Sequence, residues 1–580
     1  MKFRKKMKKT FIAILIISMV TLPVLAQKKQ QDTVLKREVT LYNPYKPSLQ
    51  DVAKKSFLPE MTDTATVRPV FKYDIKTEPF MPVYSINPIR PASLLPDPLP
   101  KLYKSYVNIG LGNYFTPLAE ISITNGRSKS GAIGIDARHF SSNGNVELQN
   151  LKKGFAGYMD NDFSLFGKKF MNKSTLDGSV DFSQKTRYAY GYDTIFKDYN
   201  PAKKYTRLNY INTGARIGLA STKLDSSSLS YNFDLAYKFF YYNQTLYQHN
   251  TDFTGLFAKS YKGFYAGSGI EFDYFSYSDS IYSNPRFIAA FSPFIKKRTD
   301  QWSVKLGFQA LIDNDITGSS KFHFYPDLNF SFNIVPSYVG FFADMYGKLV
   351  KNEPINAIGE NPFIFPDMTL FKLPNTDYAL IVKAGLSGGT GIEGTYQLSA
   401  SYSVANNMLL FANQVIKNGT IPISGGAGNF FAPLSDDAEI FNLHGEFSGK
   451  IIESLSFNTE ANYYKYSLSE NEFAWNKPGW KASLGLKYNL MNKIIAGANL
   501  NAVGARKALV TTEDISSIEF TSKTINLPSY ININLNAEYR YTKILSFWLK
   551  LNNISFNRYY EWAFYPSQRF MCMVGFTYSL

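Results

Sequence analysis

The chain has 580 residues, 45% hydrophobic, 16% aromatic and 19% charged, with a formal net charge of +17. The aromatic share excludes intrinsic disorder for the bulk of the chain. After residue 26 no stretch nears the roughly 20 continuous apolar residues of a membrane helix.

Six of the 63 basic residues, Lys2, Arg4, Lys5, Lys6, Lys8 and Lys9, crowd the first nine positions. The remaining excess of +11 is spread too thinly for nucleic-acid binding. With Cys572 alone there is no intrachain disulfide and no cysteine zinc cluster.

Those six charges read as the start of a secretory signal. Phe11 to Leu25 is its apolar stretch, and the small residues of Val24-Leu25-Ala26 place cleavage between Ala26 and Gln27. Residues 1–26 are therefore expected to be removed on export. Residues 27–100 hold eleven of the 27 prolines and show little alternation. Proline fixes φ and removes a ladder donor, so an irregular extension is expected there, periplasmic or entering a lumen.

From Lys104 the apolar period becomes two. Ile531, Ile533, Leu535, Ala537, Tyr539 and Tyr541 share one face, opposite Asn532, Asn534, Asn536, Glu538 and Arg540. Leu229 to Phe239 and Phe322 to Phe332 alternate likewise. Successive strand side chains point to opposite faces, so each run has an apolar and a polar side.

Tight links such as Tyr261-Lys262-Gly263, Thr299-Asp300-Gln301, Met491-Asn492 and Thr542-Lys543-Ile544 alternate with long ones near 143–156, 192–204, 353–376, 415–437 and 510–526. Short periplasmic turns alternating with long external loops belong to outer-membrane barrels. The expected fold is all-β: one large antiparallel transmembrane β-barrel over residues 101–580, about 22 strands within a range of 14–22.

The chain ends on a strand that carries Phe570, Cys572, Val574, Phe576, Tyr578 and Leu580 on one face. Such a closing strand resembles the signal read by the barrel-assembly machinery, an expected partner during insertion. The expected surroundings are outer-membrane lipid and lipopolysaccharide.

From Leu527-Pro528-Ser529-Tyr530 onward, about 50 residues resemble the end of TonB-dependent receptor barrels. The resemblance rests on Leu549-Lys550-Leu551-Asn552-Asn553-Ile554, Arg558-Tyr559, Tyr565-Pro566, Arg569-Phe570, Gly575 and Tyr578. The opening from Lys101-Leu102-Tyr103-Lys104 to Gly110-Leu111-Gly112-Asn113-Tyr114 is similar to the barrel entry of plug-less relatives in the Bacteroidota. Receptors of that family carry a plug of well over a hundred residues. Gln27 to Pro100 leaves 74, so a plug-less barrel is expected.

Other motifs read as structure. Gly385-Leu386-Ser387-Gly388-Gly389 matches a nucleophile elbow and Gly389-Thr390-Gly391-Ile392-Glu393-Gly394 a dinucleotide loop, but neither precedes a helical period. Both are expected to be turns. His139, His249, His323 and His444 have no metal-ligand spacing, and His323 and His444 fall on lumen-facing sides. Trp302, Trp548, Trp562, Tyr559 and Tyr560 suit a sugar platform or, as the blander account, an interfacial girdle. Lys152-Lys153, Lys168-Lys169 and Lys203-Lys204 read as solvated charges or lipopolysaccharide contacts.

No catalytic, cofactor or metal residue is assigned, and an enzyme is not expected. A barrel this wide needs something in its lumen. The candidates are residues 27–100, the loop Glu353 to Thr376 with Phe363-Ile364-Phe365-Pro366, or a partner protein. The expected function is a channel or transport-related outer-membrane barrel. The alternative is a non-transporting accessory subunit of a complex such as the assembly machinery, docked through residues 27–100.

Overall fold

The structure is a computed structural model. It describes residues 103–580 apart from 127, 150, 192–201, 223–227, 244–245, 278–285, 315–318, 365–373, 392, 418–428 and 515–518. The signal cleavage junction Ala26–Gln27 and the extension 27–100 lie outside the described residues.

Twenty-two antiparallel strands, each hydrogen-bonded to the next in chain order, form the wall. The first, Ser105–Gly112, pairs with the last, Met571–Ser579, from Tyr106↔Ser579 to Gly112↔Met573, and closes the cylinder. The expected architecture is the observed one. Closure leaves no wall strand with an open edge, so ladder donors and acceptors are satisfied around the circumference.

The period-two pattern sorts the side chains. Ile109, Ile121, Ile123, Ile133, Phe322 and Phe324 stand exposed on the outside, up to 69% for Phe322. An apolar band of this extent is stable only against lipid. On the inner face charges pair across neighbouring strands: Glu120–Arg138 at 3.1 Å, Arg187–Asp160 at 2.6 Å, Lys238–Asp252 at 2.8 Å and Lys305–Asp327 at 2.5 Å. Arg216 bridges Asp177 at 2.8 Å and also meets Asp234. Half-exposed pairs of this kind contribute about 0–1 kcal/mol each, so they fix which face looks inward more than they hold the fold.

Connections differ sharply between the two ends. Tyr261 and Phe264 are joined by Lys262 and Gly263, both at positive φ (47° and 80°). That is the mirror-type two-residue turn whose twist matches paired strands. Met491 and Asn492 repeat it at 50° and 56°. Gly391 (φ 68°) lies in the hairpin turn between Thr376–Gly389 and Thr395–Lys417, as expected of the second glycine motif, whereas Gly385–Gly389, expected to be a turn, is the paired end of the strand before it.

The opposite end is built up, and several long connections carry structure of their own. Residues 143–156 hold the hairpin Asn145–Glu147/Lys153–Phe155. The loop near 353–376 holds the helix Pro354–Glu360. In the region 415–437, read from sequence as a loop, the described residues are strand: Thr395–Lys417 and Asn429–Ile452 run 23 and 24 residues. At 3.3 Å per residue the first spans about 75 Å, more than twice the hydrocarbon thickness. A bulge between Ala405 and Met408, with Asn407 at φ 55°, breaks its register and separates wall from projecting tip. The described residues of the region 510–526 are also strand, because Arg506–Asp514 and Glu519–Leu527 pair with each other away from the wall, and the first of them pairs in parallel with Asn413–Lys417.

Candidate functional site

The large loops fold together over the barrel's mouth. Their core holds Leu208, Tyr242, Leu246, Ile364, Phe411 and Phe431, all at most 1% exposed. Tyr565 stacks on Phe363 with ring centroids 3.9 Å apart, and Tyr190 meets Tyr565 edge-on at 5.1 Å. Trp562 stands edge-on to Phe411 at 5.5 Å and Phe431 at 5.2 Å. Polar tips of these rings find backbone partners: Tyr242 donates to the Ile364 carbonyl at 2.6 Å and Tyr190 to that of Pro566 at 3.0 Å. Burial pushes the Tyr565 hydroxyl well above its ordinary value, with Tyr190 adding to the effect, and burial raises Tyr190 in the same way. Both rings therefore stay neutral donors. Gly191 leaves room for this packing, since a Cβ there would lie 2.4 Å from the Tyr565 ring.

A second set of contacts ties the segment around Pro354–Glu360 across the mouth. Proline at the first turn starts the helix without losing a bond. Glu353 makes no side-chain cap there, because its carboxylate is engaged elsewhere. It lies 2.9 Å from Arg286, both side chains 1% exposed, and accepts from Tyr277 and from Gln248 at 3.3 Å. On one side Lys351 pairs with Asp273 and Glu271. On the other, Asn375 donates to Asp313 at 3.0 Å, and Asn352 and Asn375 bridge the two ends of the loop at 3.1 Å. Lys477 reaches Glu360 at 2.5 Å. Removing one partner of a buried pair such as Glu353–Arg286 costs about 3–5 kcal/mol, so this crossbar is fastened at defined points.

The crossbar divides the space beneath it. Ile355, Ile358 and Gly359 face a recess of about 180 Å³ that Lys185, Arg187 and Tyr210 also line. Asn356 and Glu360 face a larger one of about 510 Å³. What this arrangement can do is restrict and select what enters the lumen.

Of the lumen-filling candidates, the loop Glu353 to Thr376 does enter the mouth, with Phe363 and Ile364 in the core. Phe365 and Pro366 lie outside the described residues. The aromatic girdle reading fails for two tryptophans: Trp562 belongs to the mouth core, and Trp548, 8% exposed, faces the lumen and donates to Asn108 at 2.6 Å. Tyr559 stacks on Tyr530 at 4.2 Å, where the sequence alone gave no partner. Phe240 and Tyr242 were legible as a signal, since Phe239-Phe240-Tyr241-Tyr242 has no polar face and so needs burial on both sides.

The last wall strand is Met571–Ser579. Val574 and Phe576 face outward at 57% and 38% exposure, Tyr578 shares their face, and Leu580 exchanges backbone bonds with Ser105. Phe570 precedes the strand and stacks on Phe556 at 4.9 Å. The histidines do not converge: His323 faces the lumen beside Asp377 at 3.3 Å, His444 beside Asn462 at 3.0 Å, His139 bonds Asn161 and His249 bonds Tyr237. Among the described residues no group of three His, Cys, Asp or Glu is placed to hold a metal. Lys203 covers the Phe155 ring at 3.6 Å at the loop end, whereas Lys168 and Lys169 sit at the short-turn end, so the three lysine pairs form no common patch.

No protein-family model and no curated protein matches the chain. Solved structures do. The FrpB iron transporter from Neisseria meningitidis superposes with a TM-score of 0.60 at 10% identity, covering 83% of each chain. The pyoverdine outer membrane receptor FpvA from Pseudomonas aeruginosa gives 0.58 at 11%, over 83% of this chain and 79% of that one. The copper transporter OprC gives 0.57 at 12%, over 83% and 82%. At such identities the likeness is one of fold: this chain has the barrel architecture of outer-membrane receptors and transporters.

Proposed function

We propose that this chain is an outer-membrane, transport-related barrel that works without a plug and admits a solute past a mouth closed by its own loops. The observation that carries the reading is the crossbar Pro354–Glu360, held over the lumen by the buried Glu353–Arg286 pair. A barrel of this strand number would leak if nothing closed it. Closure by loops that are fastened through a few buried polar contacts is suited to opening, because releasing those contacts frees the segment without touching the wall. The fold shared with iron and copper transporters supports the same reading.

The remaining assignments follow from it. Cleavage between Ala26 and Gln27 exports the chain, and residues 27–100 offer a periplasmic arm for a protein partner. Phe570, Val574, Phe576, Tyr578 and Leu580 serve as the closing signal during assembly.

Ion conductance of the purified barrel in a planar bilayer tests the reading. Low conductance in the wild type that rises several-fold in Glu353→Ala is the expected result. A barrel silent in both forms, while still folded, would overturn transport and leave the accessory-subunit role.

A further inference from the structure

The short-turn end of the wall carries a group of cations on its lipid-facing side. Tyr261 stands opposite Phe264 across the Lys262-Gly263 turn, Phe264 opposite Lys297, and Lys297 opposite Val304. These positions form one row across four neighbouring strands, on the same face as the exposed Ile295. Tyr261 and Phe264 are 66% and 40% exposed, so the row lies at the rim where the apolar wall gives way to water.

Two ammonium groups flank the rings of this row. Lys297 Nζ lies 4.9 Å from the Phe264 ring and 5.8 Å from that of Trp302, and Lys262 Nζ lies 5.2 Å from the Tyr261 ring. A third cation, Lys259, stands two residues further along the face of Tyr261, opposite Ala266. The ion pairs of the neighbouring strands, Lys238–Asp252 and Lys305–Asp327, point into the lumen and leave these lysines out. Among the described residues none of the three has a carboxylate within ion-pair distance. A ring face takes up no N–H donor in a hydrogen bond, so the donors of each ammonium remain to be matched. Lysine stems at strand ends carry the charge past the apolar band to headgroup level, where the acceptors are lipid phosphates. The short turns of outer-membrane barrels face the periplasm, so the leaflet in question is the inner one.

We propose that the rim formed by Lys259, Lys262 and Lys297, with Tyr261, Phe264 and Trp302, is a docking surface for anionic phospholipid of the periplasmic leaflet. Three cations without a counter-charge favour a lipid of net negative charge over a zwitterionic one, whose own cation competes for the same phosphate. Each basic group near an anionic membrane surface is worth a roughly fivefold preference. The rings hold the boundary between headgroup and acyl chain at the level of the lysines. The pair Lys493–Tyr539, 5.9 Å apart beside the Met491-Asn492 turn, sits at the same end but away from this row and serves as the comparison.

The test is quenching of Trp302 fluorescence in the full-length barrel, reconstituted in phosphatidylcholine vesicles that contain rising fractions of brominated phosphatidylglycerol or brominated phosphatidylcholine. Trp302 reports from the row itself, and Trp302→Phe supplies the signal of the other tryptophans for subtraction. Phosphatidylglycerol should be preferred about fivefold around Trp302. Lys259→Gln/Lys262→Gln/Lys297→Gln should abolish the preference, Lys259→Arg/Lys262→Arg/Lys297→Arg should restore it, and Lys493→Gln should leave it unchanged. Retained heat-modifiable migration in gels confirms that each variant is folded. The inference is overturned if the two lipids quench alike in the wild type, if the preference survives the triple glutamine variant, or if Lys493→Gln abolishes it. Quenching is read without any current, so this result and the transport reading stand or fall separately.

Discussion

At the residue scale the account depends on a buried charge. Without the Glu353 carboxylate, the buried Arg286 guanidinium would lose its ion-pair partner, at a cost of about 3–5 kcal/mol. The crossbar should detach, because its helix of seven residues cannot hold its shape alone. Glu353→Ala should therefore be cut by trypsin at Lys351 while the wild type resists; equal cleavage rates would refute the fastening role. The cap tyrosines give a pH dependence. Their hydroxyls are raised by burial, so the neutral form favours the packed cap. That stability is complete below the free tyrosine value of about 10 and is lost as pH rises through the raised values. The cap should loosen only above pH ~10. Tyr190→Phe/Tyr565→Phe should move that alkaline transition upward, read by protease susceptibility across the pH range; an unmoved transition would place its cause elsewhere.

At the element scale the seam between first and last strands is closely packed. A Cβ on Gly575 would lie 2.2 Å from the Trp548 ring and 2.3 Å from the Ile109 carbonyl, which is backbone and cannot yield. Gly575→Val should fail to give the heat-modifiable folded form. Gly359→Val, whose Cβ would meet nothing within 4 Å, should give it normally. Wild-type folding yield in Gly575→Val would contradict the close packing at the seam. This seam was half legible in sequence. Alternation places Val574 and Phe576 on the lipid face, but nothing local says that Trp548, on the polar face of its own strand, reaches Asn108 more than 400 positions away. Strands could be read wherever one face meets lipid and the other water. The tips of Thr395–Lys417 and Asn429–Ile452, and the hairpin Arg506–Leu527, pack on each other above the membrane, so their patterns lose the clean alternation. The cap suffers most from this, since its core draws on residues from five or more separate connections.

At the scale of the whole molecule, wall and mouth answer to different forces. The wall is held by closed ladders and by lipid; the mouth is held by aromatic packing and a few buried polar contacts. The two should uncouple. Phe431→Ala, which removes a ring 0% exposed in the cap, should cost about 3–5 kcal/mol there and leave the barrel heat-modifiable. Loss of the folded barrel in Phe431→Ala would mean that the cap also supports the wall. The central claim is that the chain's own loops control passage through a transport-sized barrel. Single-channel conductance of wild type and Glu353→Ala in planar bilayers addresses it most directly. The account predicts a nearly closed wild type and a several-fold larger, long-lived opening in the variant. A wild type already wide open, or a folded variant as silent as the wild type, would contradict it.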